Sequence, residues 1–436
     1  MREKQAFNNA KWIIACKIAQ SILQLIIGMI CARYLGPSNY GLINYAASIV
    51  AFVMPLMKLG LDSTLVSELV ENPHKEGEVM GTSLLMNTIS SLLCIGGVTA
   101  FASIANFGET ETIIVCILYS TSLFFGALEM MQYWFQYKLI SKYSSIVMLI
   151  SYVVVSAYKI FLLVTAKSVY WFALSNSLDF CVIGVSLIAI YLKKGDQRLS
   201  FSWSRGKKML SRSRYYILAS LIIVVIQNTD HVMLTNMIGK AENGIYSAAI
   251  TSATVAQFVY MAIIDSYRPL ILENKKNDQK AYETDLSRLY CVISYMALAQ
   301  GIVFTLFAPF IIGLLYGSEY AGAVHVLQIL VWYIAFAIMG TVRNIWLLAE
   351  KKEKYLWRIN LFGALMNIAL NAFMIPLWGA CGAAFASFLT QFFANFILGF
   401  ILKPIRENNK LILRGLNPKF LITESGKILK ILRKKS

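Results

Sequence analysis

Charge is scarce in this chain. Only 14% of its 436 residues are Asp, Glu, Lys or Arg, and only three are histidine. A soluble protein of this length would need a far more polar surface, so the scarcity excludes an ordinary water-soluble enzyme or scaffold. Cysteine is present seven times, but singly and without a CxxC pair, which excludes a zinc site or a disulfide framework. The chain also has no phosphate-binding GxxxxGK[ST] loop, no GxSxG elbow, no HExxH pair and no dense carboxylate cluster. Catalytic residues, metal ligands and cofactors are therefore not expected, and any work must be driven by an ion gradient, the membrane potential or a substrate gradient rather than by nucleotide hydrolysis.

What fills the chain instead is apolar. Hydrophobic residues make up 58%, and the mean hydropathy is +0.61. A bilayer is the solvent that suits such a composition. Apolar runs bounded by Gly, Pro, Asn and charge predict twelve transmembrane helices, near 11–33, 40–62, 80–104, 112–136, 143–165, 168–192, 215–238, 244–266, 286–310, 323–348, 355–377 and 380–402. The first run, Trp12 to Ala32, is long enough to span and is expected to stay in place rather than be cleaved as a leader. The fold class that follows is an all-α polytopic membrane protein.

The net charge of +17 is distributed by side. Counted in alternate connections, 32 Lys and Arg fall on one side of the membrane, and only Arg33, Lys167 and Lys240 on the other. By the positive-inside rule, both termini and the central loop are cytoplasmic. The basic residues set topology and attract anionic membrane lipids, so a nucleic-acid partner is not expected.

The central loop Lys193–Arg214 has eight Lys and Arg against one acid, Asp196. It separates two halves that are copies. At a constant offset of 203, Gly36 falls on Gly239, Gly41 on Gly244, Ala46 on Ala249, Gln24 on Gln227, and Asp62-Ser63 on Asp265-Ser266. Six spans per half is an even number, so both copies enter with the same orientation, as in parallel-repeat transporters. The organisation read from this is an N-terminal six-helix lobe (1–192), a basic cytoplasmic linker (193–214), a C-terminal six-helix lobe (215–402) and a basic tail (403–436). The tail's KILKILRKK resembles a short amphipathic surface segment.

Charged residues inside spans are costly, roughly 2.5–3.5 kcal/mol at mid-depth, and should face protein or water. The candidates are Lys17, Lys159 and Arg343 as cations, Asp179 and Asp230 as acids, and Gln24 and Gln227 as sugar-binding amides. Lys17 either faces a cavity with Gln20 and Gln24 or snorkels to the headgroups. Arg343 is either mid-depth or reaches the cytoplasmic surface. Lys58 and Asp62 are read as an ion pair at the membrane surface, Pro269 as the end of the eighth helix, and Asn360, Asn367 and Asn371 as interhelical hydrogen-bonding residues. Trp134 and Tyr137 suit an aromatic belt at headgroup level.

Four segments carry a family resemblance. ARYLGPSNYG (Ala32–Gly41), LGLDSTLVSEL (Leu59–Leu69), LLYGSEYAGAVHVLQIL (Leu314–Leu330) and PLWGACGAAFAS (Pro376–Ser387) look like the polysaccharide-export (Wzx-type) flippases, relatives of the MATE antiporters and lipid II flippases in the MOP superfamily. The resemblance implies two six-helix lobes that open alternately. The implied cargo is an undecaprenyl-diphosphate-linked oligosaccharide, moved from the inner to the outer leaflet of a bacterial inner membrane. It also implies a coupling ion, H⁺ or Na⁺, and a glycan polymerase and glycosyltransferases as pathway partners. A MATE-like multidrug or cation antiporter would instead use Glu129, Asp179 and Asp230 as anionic cavity residues. A membrane enzyme of glycan assembly would need a large outer loop, and all the outer loops are short.

Overall fold

In a computed structural model, residues 2–195 and 197–422 are described, with side chains placed from 19 onward and at Cys16. The side chain of Lys17, the linker acid Asp196 and the segment KILKILRKK lie outside the described residues. Every regular element described is helical.

Among the described residues, nine helices are long and apolar enough to cross a membrane, or ten if the bent pair Lys240–Thr254 and Gln257–Asn277, inclined at 41°, counts as one span. Two of the ten stretches are doubled. The 39 residues of Ala19–Met57 would extend roughly 58 Å as one straight helix, nearly twice the hydrocarbon thickness. They lie in α1 (Arg2–Met57), which is broken at Gly36, where φ is 67° and ψ 172°. A second break, at Gly379 (φ 54°, ψ −130°), divides α14 (Leu356–Phe392). Both conformations are ones that side-chain-bearing residues avoid, and glycine adopts them without penalty. Dividing these two stretches at their glycines turns the ten candidate spans of the described residues into twelve helical segments, against the twelve that the apolar runs predict.

The chain forms two compact units, Met1–Gly244 and Ile245–Ser436. In the first unit, α1 is followed by the short α2 (Leu65–Glu71), then α3 (Glu76–Ala105), α4 (Thr110–Ser120), α5 (Ser122–Leu128) and α6 (Gln132–Tyr137). The long helices α7 (Ser141–Val164), α8 (Val169–Lys194) and α9 (Trp203–Met237) complete it. One apolar core gathers Leu42, Tyr45, Val115, Leu123 and Phe172. Another gathers Leu61, Leu65, Met131, Trp134, Leu187 and Tyr191.

The helix of the seventh span starts at Trp203, so the second part of the basic 193–214 segment is already α9. Residues 197–202, just before it, are non-helical and strapped to the start of α3. Ser200 N donates to Gly77 O at 3.1 Å, Ser202 N to Thr82 Oγ1 at 3.0 Å, and Gly77 N to Gln197 Oε1 at 3.1 Å. The first turns of α9 then meet the acids of α2 and of the first turn of α3. Arg205 Nε donates to Glu78 Oε1 at 2.9 Å and its Nη1 to Glu68 Oε1 at 3.1 Å. Arg212 binds Glu71 through two 2.7 Å bonds, which hold the Glu71 carboxyl below its ordinary range. Two of the linker's eight cations, Arg205 and Arg212, are therefore paired with acids of the same unit.

In the second unit, α10 (Lys240–Thr254, from Ile245 onward) leads to α11 (Gln257–Asn277) and α12 (Gln279–Leu315). Then come α13 (Ala323–Ala349), α14, α15 (Leu398–Ile401) and α16 (Arg406–Leu416). Pro269 does not end α11, which runs on to Asn277. Proline in a helix interior removes one backbone hydrogen bond at a cost of about 3 kcal/mol, and here the helix continues through it nonetheless. After the Gly379 break, Ala380, Ala383, Ala384 and Ala386 are buried, so the last helix packs close to its neighbours as its small residues suggest. Asn371 Nδ2 donates to Asn367 Oδ1 at 3.1 Å, and Asn367 Nδ2 to Ser387 Oγ at 3.2 Å, a polar bridge across the broken helix. The head of the basic tail is α16, docked through buried Asn408, Asn409 and Ile412. Tyr290 Oη donates to Asn408 Oδ1 at 2.8 Å and Asn409 Nδ2 to Phe396 O at 2.7 Å.

Candidate functional site: charges inside the spans

The first unit gathers polar groups within its apolar helices. Asp179 of α8 is partly buried, and Ser151 Oγ of α7 donates to its Oδ1 at 2.6 Å and to its backbone carbonyl at 3.0 Å. Lys159, two turns further along α7, is within electrostatic reach of this carboxylate, as are Tyr119 and Tyr152. Thr121 Oγ1 and Ser177 Oγ share a 2.7 Å hydrogen bond beside them. Glu129 opens a 3₁₀ turn, Glu129–Met131, that interrupts the fourth span, and Lys58 faces it electrostatically.

Lys58 and Asp62 form no ion pair. Asp62 Oδ1 instead accepts from Ser63 N at 3.0 Å, because the chain leaves α1 at Met57 and Gly60 turns left-handed, which breaks the helical spacing the pairing needed.

The arrangement is chemically mixed. An acid with a hydroxyl donor, a cation within its field and two phenols lie on adjoining helices in an apolar surround. Such a cluster can hold a proton or cation on the acid, and a phosphate on the lysine, at a depth where water is scarce.

The other candidates lie apart from this cluster. Gln24 and Gln227 are exposed. Asp230 is buried in α9, next to His231, whose Nδ1 lies 2.7 Å from Asn243 Oδ1. Arg343, in the second unit, is 4% exposed. Its Nη1 donates to Ala394 O at 2.9 Å, in the π-helical turn Phe393–Ile397, and its Nη2 to Asn344 Oδ1 at 3.4 Å. That turn frees carbonyls from the regular ladder, and the guanidinium takes one of them. Tyr119, Ser151 and Tyr152 were not singled out by sequence. A serine or tyrosine in a span carries no charge penalty, so nothing local marks it.

The chain has relatives in both sequence and fold. The capsular polysaccharide biosynthesis protein CapF of Staphylococcus aureus is 21% identical over 399 residues, covering 88% of this chain and 96% of that protein. A probable low-salt glycan biosynthesis flippase of Haloferax volcanii is 22% identical over 216 residues, 49% of this chain and 44% of that one. Among solved structures, an inward-facing MATE multidrug resistance transporter of the MOP superfamily superposes with a TM-score of 0.70 at 15% identity, covering 91% of this chain and 96% of its own. The lipid II flippase MurJ, in an inward closed conformation, superposes with a TM-score of 0.70 at 16% identity, covering 95% and 92%. The fold is thus that of MOP transporters. Residues 6–275, the whole first unit past its opening residues and the start of the second, match the family described as polysaccharide biosynthesis protein, and the chain belongs to that family.

Proposed function

We propose that this protein is a flippase that carries lipid-linked oligosaccharide units from the inner to the outer leaflet of a bacterial inner membrane. Its carrier lipid is undecaprenyl diphosphate, and its termini are cytoplasmic. The two six-helix halves, 1–192 and 215–402, open alternately, with 193–214 between them. The observation that carries this reading is the cation Lys159 in a spanning helix, within electrostatic reach of Asp179 on the next one, in a chain of the polysaccharide biosynthesis family.

A diphosphate crossing a low-dielectric region needs a cation at each stage of its path. Lys159 offers one, Lys17 a second, and Arg343 a third whose guanidinium also holds a π-helical turn. Gln24, Gln227 and the amide side chains near them suit sugar hydroxyls. Asp179 and Asp230 reset the site by pairing with the cations or by taking up a proton, so the coupling ion is H⁺ or Na⁺. The reading is a transporter, not an enzyme. Polymerase and glycosyltransferases of the same glycan act before and after it.

The acid Asp179, with its serine donor, favours a second reading, an exporter of small organic cations. One experiment tests both. Lys159→Gln keeps size and polarity and removes charge. Export of lipid-linked glycan that falls at normal protein level, and recovers in Lys159→Arg, supports the flippase. Unchanged glycan export together with dye efflux that fails in Asp179→Asn would establish the exporter instead.

A further inference from the structure

A cavity of about 430 Å³ opens at one end of the first unit, lined by Trp134, Lys138, Ile140, Tyr143 and Lys194. It belongs to neither the intramembrane cluster nor the linker clamp. Two connections build it. The turn Lys138–Ile140 links α6 to α7, and α8 ends at Lys194 on the same side.

One wall is aromatic and rigid. Trp134 is buried, edge-on to Phe135 and to Tyr191, each at 5.0 Å between ring centroids. Its indole Nε1 has no hydrogen-bond partner, unusual for a buried tryptophan. The other wall is cationic. Lys194 Nζ sits 3.8 Å from the centroid of the Tyr143 ring, and Lys138 Nζ lies 5.8 Å from that of Trp134.

The charges do not cancel. Lys138 is held at 2.8 Å by the buried carboxylate of Glu76, and Glu78, the next acid along α3, is taken by Arg205. Lys194 is left as the positive charge of the exposed rim. Leu139, between the lining residues Lys138 and Ile140, is 41% exposed, and Tyr143 is 40% exposed, so the mouth is apolar as well as basic.

We propose that this cavity binds the phosphate headgroup of an anionic membrane lipid. The site lies where spanning helix α7 begins and spanning helix α8 ends, and the ends of spans are where headgroups sit. Its volume lies in the ordinary range of ligand sites and is suited to a headgroup rather than an oligosaccharide. Lys194 meets the phosphate, and the aromatic wall meets the glycerol and the first methylenes. The same chemistry would also accept free phosphate, but an apolar mouth gives a free ion nothing to gain. The proposal does not depend on what the protein transports.

The test uses the full chain purified in neutral detergent, with bound lipid read by native mass spectrometry. Lys194 is the residue to change, because it is exposed and its loss leaves the Glu76 pair intact. The parent should retain phosphatidylglycerol in preference to phosphatidylcholine. Lys194→Gln should lower that preference roughly fivefold, the worth of one lysine near an anionic surface. Lys194→Arg should restore it, and Lys167→Gln, a lysine outside the cavity, should change nothing. No preference in the parent, or an equal preference in Lys194→Gln, overturns the proposal. So does displacement of the lipid by millimolar inorganic phosphate, which would make the ligand a free anion.

Discussion

Gly41 and Gly244, one 203-residue repeat apart, each sit against the opening turn of the other's helix. A β-carbon on Gly41 would run into the backbone of Lys240 and Gly244, and one on Gly244 would run into the backbone of Pro37. Pro37 and Lys240 are themselves equivalent positions of the repeat. The contact is therefore reciprocal, as in a two-fold interface where the same patch meets itself. Asn243 Nδ2 closes it with a 2.8 Å bond to Gly41 O. The duplicated glycines are explained by this close approach: neither helix start could come so near if the other carried a side chain.

Gly41→Ala and Gly244→Ala should each destabilise the protein by about 1–3 kcal/mol, the usual cost of overpacking a closed contact. Because the two positions share one contact, the double variant should lose less than the sum. Thermal unfolding in detergent measures both effects. Gly28, with open space around its α-carbon, is the control and should tolerate alanine. An unchanged midpoint in Gly41→Ala would mean the helix starts separate freely.

The clamp on the basic linker gives a second prediction. Arg205 is 9% exposed and serves both Glu68, 2% exposed, and Glu78. Arg205→Gln removes the shortest cationic partner of buried Glu68, leaving it a 3.4 Å contact with Arg212 and the Asn72 amide, and breaking a buried pair costs up to about 3–5 kcal/mol. Arg212 binds Glu71 at the surface, where a pair contributes no more than about 1 kcal/mol. Arg205→Gln should therefore speed proteolysis between 195 and 202 at low detergent concentration, and Arg212→Gln should barely do so. Equal cleavage rates in the two variants would show that burial of Glu68 does not hold the strap.

Much of the architecture was legible in the sequence because the bilayer imposes it. Apolar runs, glycine breaks at Gly36 and Gly379 and the internal repeat all follow from local composition, and each corresponds to a helix, a turn or a contact. Pairing was not legible. Asp179 finds Ser151 on another helix, and Arg343 finds a backbone carbonyl that a π-helical turn exposes, and neither partner has a sequence signature. Lys58 and Asp62 looked paired by spacing, but the helix ends between them. The linker looked like a free basic loop. Its acids of opposite sign, Glu68, Glu71 and Glu78, are more than a hundred residues away in sequence, so only the fold brings them to it.

A pH dependence follows from the opposite end of the unit. Lys240 Nζ lies 3.2 Å from Glu109 Oε2 and 3.6 Å from Glu111 Oε2, and donates to Thr112 Oγ1 at 3.1 Å. The Thr112 hydroxyl, donating to Glu109, and then Lys240 hold the Glu109 carboxyl below its ordinary range. A depressed folded-state pKa stabilises above the unfolded value, about 4.3 for Glu, and the contribution is lost as pH falls through the folded value. Glu109→Gln should therefore lower the unfolding midpoint modestly at pH 7 and converge with the parent below about pH 4. A difference that persists undiminished at pH 3 would assign the effect to packing rather than charge.

Arg343 offers the sharpest division between a structural and a transporting cation. Its guanidinium is buried, and its best bond is to Ala394 O, a carbonyl displaced by the π-helical turn. Arginine supplies a planar fork that can serve this carbonyl and Asn344 together, whereas lysine ends in a single point charge. If that bond is the side chain's role, Arg343→Lys and Arg343→Gln should both destabilise, by about 1.5–3 kcal/mol for the loss of a hydrogen bond to a charged group. Lys159 makes no such structural bond to a backbone carbonyl, so Lys159→Gln should leave stability unchanged and depress glycan export. Measured side by side, unfolding midpoints and export rates separate the two roles. Should Arg343→Lys keep both parent stability and parent export while Arg343→Gln loses export alone, the charge and not the fork is what matters, and Arg343 joins Lys159 as a residue on the substrate's path.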